Sequence, residues 1–188
     1  VIKVLGAVDL DSNANNITLQ NVDFGSLGIQ NAGDVQVTEA NDIELANIVA
    51  TSFDLTAGGD ITQATGTAAN ITNLFSLETA SATGNIVLDG ANTFGAIELD
   101  GTNLEVVSGG AVNLENINAT TLTVSAAGAI SQASGTSINV LELATMTASG
   151  AGGNITLADT SSSYGSIDLS GAAVQFVATG DIDVVGIN

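Results

Sequence analysis

The sequence predicts an all-β fold in which short parallel strands wind into coils stacked along one axis, a β-solenoid. Three observations predict it. The first is self-similarity: Asn16-Ile17-Thr18-Leu19 returns as Asn85-Ile86-Val87-Leu88 and again as Asn154-Ile155-Thr156-Leu157, 69 positions apart each time. The second is the alternation of aliphatic residues in short apolar-x-apolar triplets, the spacing of a strand with one buried face. The third is composition: 22 glycines and no proline in 188 residues, which suits many tight turns and strands whose N–H groups are all wanted for pairing.

In chain order, residues 1–15 form a partial unit, since Ile2, Leu5 and Val8 align with Ile71, Leu74 and Leu77. The unit 16–84 then carries the triplets Ile17/Leu19, Leu27/Ile29, Val35/Val37, Ile43/Leu45 and Phe53/Leu55. The unit 85–153 repeats them as Ile86/Leu88, Ile97/Leu99, Leu104/Val106, Val112/Leu114 and Leu122/Val124. The partial unit 154–188 gives Ile155/Leu157, Ile167/Leu169, Val174/Phe176 and Ile182/Val184. Between triplets stand Gly, Asn, Asp, Ser and Ala, residues that tolerate tight turns. The intervals are too short for a helix, and Ile138 to Met146 is the stretch closest to helical periodicity.

Late in the unit a longer word recurs, Asp60-Ile61-Thr62-Gln63-Ala64-Thr65-Gly66-Thr67 and Ala129-Ile130-Ser131-Gln132-Ala133-Ser134-Gly135-Thr136. An internal period of this kind favours a stack over a sandwich or a propeller, because like positions in successive coils share one environment. With about 20 to 25 residues per coil, a unit is about three coils, and the chain makes eight or nine coils roughly 40 Å long at the inter-strand spacing. The reading is therefore a single continuous solenoid over 1–188, with inward aliphatics each contributing about 1.5 to 3 kcal/mol. Both ends fall inside a repeat, so the chain reads as a segment of a longer one or a processed product.

The residue inventory excludes most chemistry. There is one basic residue, Lys3, against 20 acidic ones, a formal charge of −19, and no His, Cys, Arg or Trp. Such a chain offers nothing to neutralise a nucleic acid backbone or an anionic membrane. No apolar run is long enough to span a bilayer, and no signal-peptide pattern opens the chain. Serine or cysteine triads, zinc thiolate sites and disulfides are out of reach without His and Cys. The sequence predicts no enzyme, and no catalytic, cofactor-binding or metal-binding residue is assigned.

Four constellations invite functional readings, and each has a plainer one. Glu98, Glu105, Glu115, Asp168 and Asp183 each lie between inward aliphatics, so they face outward as a solvated acidic surface. Like charges one coil apart would repel by about 0.9 kcal/mol even in water, which makes bridging calcium conceivable, although no loop has calcium-binding ligand spacing. Phe24, Phe94 and Tyr164 each precede a glycine and read as corner or core fillers, with Gly25, Gly95 and Gly165 supplying a bend. Asn16, Asn70, Asn118 and Asn154 head Asn-x-Thr triplets, glycan acceptors in principle, yet Asn16 and Asn154 belong to the repeat word, where Asn suits the turn before a strand. Thr121-Leu122-Thr123 lacks the repeated array that an ice-binding face requires.

At Gly84-Asn85-Ile86-Val87-Leu88, Asn92-Thr93-Phe94-Gly95-Ala96-Ile97-Glu98-Leu99 and Leu122 to Gln132, the chain resembles the repeat region of filamentous haemagglutinin-type exoproteins, bacterial surface proteins exported by two-partner secretion. The resemblance runs over essentially all 188 residues. It implies a right-handed parallel β-helix and a secreted, extracellular or cell-surface location as the shaft of a fibre or adhesin. The expected partners are neighbouring repeats or identical subunits stacked axially, with any host or glycan target unassigned. The alternative reading is a carbohydrate-binding or carbohydrate-cleaving β-helix.

Overall fold

The computed structural model describes residues 2–188, so Val1 lies outside the described residues. It contains fifteen strands and, among the described residues, no helix. These are β1 (Ile2–Asp11), β2 (Ile17–Glu39), β3 (Ile43–Ala57), β4 (Ile61–Gln63), β5 (Ala69–Thr79), β6 (Ile86–Asp100), β7 (Asn103–Ser108) and β8 (Val112–Ala119). They are followed by β9 (Thr121–Ala126), β10 (Ile130–Gln132), β11 (Ile138–Ala148), β12 (Ile155–Leu157), β13 (Ser163–Ser170), β14 (Val174–Phe176) and β15 (Asp183–Ile187). The stretch nearest to helical spacing, Ile138 to Met146, is strand β11. The chain is a parallel β-solenoid of about ten turns about 19 residues apart. Its coils are thus shorter and more numerous than the sequence period suggests.

Two ladders of inward, mainly apolar side chains run the length of the molecule. One passes through Ile43, Ile61, Ile86, Leu104, Leu122, Ala144, Ile167 and Val184, each paired with the next. The other passes through Val35, Phe53, Phe75, Ile97, Leu114 and Gln132. It continues through the neighbouring pairs Ile130–Ile155 and Ile155–Val174. Between the ladders lie two edges where the chain turns. Phe53, Phe75 and Phe94 form an aromatic column inside the core, with successive ring centroids 5.4 and 5.2 Å apart, close to the rung spacing of about 4.8 Å.

The repeat does not close after three coils. Ile43, Ile61 and Ile86 stand on the first ladder, while their counterparts one unit later, Val112, Ile130 and Ile155, pair with one another on the second. Conversely Val35, Phe53 and Phe75 stand on the second ladder, and their counterparts Leu104, Leu122 and Ala144 on the first. One unit is thus three and a half turns, and each unit is turned half a revolution from the last. Equivalent residues still share one environment, because the two ladders bury their inward side chains alike.

Turn size explains the half-integral count. Ile43 to Ile61 and Ile86 to Leu104 are short turns of equal length, whereas the turn from Ile61 to Ile86 takes up more chain. The second unit repeats this, with the same short turn from Val112 to Ile130 and the same long one from Ile130 to Ile155. The extra residues include the loop of the recurring word, whose Gly66 and Gly135 have φ of 79° and 82°, a left-handed conformation that disfavours a side chain.

Gly25, Gly95 and Gly165 each stand at a register shift of the ladder, the expected bend, reached without a positive φ. Each passes over a carbonyl of the turn beneath. A Cβ on Gly95 would lie 2.2 Å from the Thr72 carbonyl oxygen, and one on Gly165 2.2 Å from that of Leu141. The partner is backbone, fixed by its own ladder, so it cannot yield cheaply. Gly95→Ala is expected to lower unfolding stability by about 1 to 3 kcal/mol, whereas alanine at Gly6, where an added Cβ meets nothing within 4 Å, is expected to cost far less; urea denaturation of the two variants checks the contrast.

Candidate functional site

The outward acids do face solvent or half-face it, as their spacing predicts. Their vertical neighbours are mostly uncharged: Glu98 follows Ser76, Glu105 sits between Val87 and Thr123, Asp168 between Thr145 and Gly186, and Asp183 beside Ser166. Interleaving of this kind removes most of the repulsion that stacked acids would suffer. Glu78 and Asp100 are an exception, paired directly across one rung. Among the described residues no group of three or more carboxylates converges as a metal site would require.

Asparagine and aspartate side chains at strand starts form a polar ladder instead. The Asp60 N–H donates to Asp42 Oδ1 at 2.8 Å, and the Asn85 N–H donates to Asp60 Oδ1 at 2.8 Å. Asn103 Nδ2 then donates to Asn85 Oδ1 at 2.7 Å, and Thr121 Oγ1 to Asn103 Oδ1 at 2.8 Å. The repeat word's Asn16 does likewise, its Oδ1 accepting the Asp34 N–H at 2.9 Å. These side chains join coil to coil.

Inside the core three sets of polar groups have no forewarning in the sequence reading. Gln63 and Asn92 exchange two amide hydrogen bonds of 2.7 and 3.0 Å. Asn92 Oδ1 also accepts the Ala69 N–H at 2.7 Å, and Gln63 Oε1 the Gly90 N–H at 2.9 Å. The counterpart pair is Gln132 Nε2 donating to Ser162 Oγ at 2.8 Å, with the Ile138 N–H donating to the same hydroxyl at 3.1 Å. The recurring Gln of the repeat word is the signal that marks them: it clasps the long turn. Buried Glu39 accepts the N–H groups of Phe24 at 3.0 Å and Ala40 at 2.8 Å.

Phe24, Phe94 and Tyr164 are buried core fillers, as predicted. The Tyr164 hydroxyl, alone among buried side-chain polar atoms of the described residues, makes no hydrogen bond of good geometry, and burial pushes its pKa up to about 12 against the weaker pull of the nearby Ser162 hydroxyl.

The two edges carry open longitudinal grooves. The larger, about 780 Å³, follows the consecutive partners Asp100, Asn118, Asn139 and Ser163 up the solenoid. The smaller, about 330 Å³, follows Val49, Asn70 and Thr93. Asn118, Asn139 and Ser163 are the counterparts of Val49, Asn70 and Thr93 one unit on, give or take the single-residue drift at the last, so the half-turn of the repeat puts the two grooves on opposite edges. Asn70 and Asn118, read above as glycan acceptors, are thereby exposed groove residues.

A family model for "Repeats of unknown function (DUF5649)" matches residues 32–99 and 101–170. The chain belongs to this repeat family. Its two copies begin at Ala32 and Gly101, which stand as far apart in sequence as Asn16 and Asn85 and are counterparts on opposite edges. The family's unit is therefore the same three-and-a-half-turn module, counted from a different starting residue. No curated protein and no solved structure matches the chain.

Two expected outcomes follow from the buried groups of this repeat module. Tyr164→Phe removes an unpartnered hydroxyl at a site where Phe94 shows the ring alone packs, and a gain of up to about 1 kcal/mol in chemical denaturation is expected. Burial holds the Glu39 carboxyl above its usual range against the three backbone N–H groups that pull it down. Its protonated form is thus favoured by folding, so its contribution is present below the ordinary Glu value and lost as pH rises through the folded pKa. Asp23, held down by the Lys3 ammonium, and Asp159, held down by the Ser161 hydroxyl, act oppositely and only as pH falls below the ordinary Asp value of 3.8. The melting temperature is expected to fall as pH rises above the ordinary Glu value of 4.5, with a shallower slope in Glu39→Gln.

Proposed function

We propose that this chain is a structural module: a stiff shaft segment of an extracellular bacterial surface fibre or adhesin, acting by extent and resistance to unfolding. The observation that carries the reading is the ladder itself. Each coil's backbone is hydrogen-bonded to the coils above and below, and among the described residues the core is one continuous, mainly apolar column. Family membership adds that the unit is one built to be repeated. The resemblance to filamentous haemagglutinin-type repeats supports the extracellular setting and export across the bacterial envelope. No helix among the described residues is long and apolar enough to cross a membrane.

Partners in this reading are further coils, either of the same chain or of identical copies, stacked axially. The support is the family's unit, which is matched twice in tandem, and the parallel ladder, in which each rung offers its backbone to the next. Calcium has no part in this proposal.

Negative-stain electron microscopy of the purified chain at rising concentration is the test. Rods that lengthen with concentration, uniform in width, are the expected outcome. Compact particles of one length at every concentration would remove the fibre reading.

A further inference from the structure

We draw no further inference here: the strongest candidate, the larger edge groove that follows Asp100, Asn118, Asn139 and Ser163 up the solenoid with Leu141 exposed beside them, carries nothing, because no feature of the structure shows what covers it.

Discussion

The structure depends on one constraint: every coil must hydrogen-bond to the coil beneath it along both ladders at once. A parallel ladder has a fixed rung height of about 4.8 Å, so the chain can vary in the length of its turns but not in the height of its strands. That is why short and long turns coexist without disturbing the column from Ile43 to Val184. Extra residues are expelled to the edges. The clasp of Gln63 and Asn92, and that of Gln132 and Ser162, closes the places where they leave, and because these clasps lie against the core their polar groups must be paired within the fold.

The same constraint governs what can stand on the surface. Inward positions are apolar because they are covered above, below and across. Outward positions stack on their own kind one rung apart, and acids would accumulate repulsion there. The chain places Ser, Thr or Asn between them, as Ser76 under Glu98 and Thr123 over Glu105, and turns carboxylates at strand starts into hydrogen-bond acceptors. A formal charge of −19 is carried on a narrow rod with few unshielded neighbours. Where backbone crosses backbone most closely, only glycine fits, which accounts for Gly95 over Thr72 and Gly165 over Leu141.

A repeat of three and a half turns has a consequence for any function carried by these modules. An integral repeat would line up equivalent features along one side of the rod. The half-integral repeat distributes them over two, so that the groove at Asn70 and its counterpart at Asn139 look in opposite directions. A rod built this way presents equivalent features on both edges.

Alternating aliphatics, the regular return of the Asn-Ile-x-Leu word and the absence of proline determined by themselves the fold class, the strand sites from Ile17 to Val184 and the inward residues, because period-two burial and turn chemistry are local properties. The outward acids and the buried Phe24, Phe94 and Tyr164 were legible for the same reason. Coil length was not: the reading of about three coils per unit missed the half turn, since which strands pair depends on how much chain each edge loop takes up, and only the ladders of the folded molecule decide that. The grooves, the Gln63–Asn92 clasp and the buried carboxylate of Glu39 were equally hidden, although Gln63 and Gln132 recur in the sequence. The grooves and the clasp are made of residues from successive coils, roughly 18 to 30 positions apart, whose proximity is created by stacking and has no local signature.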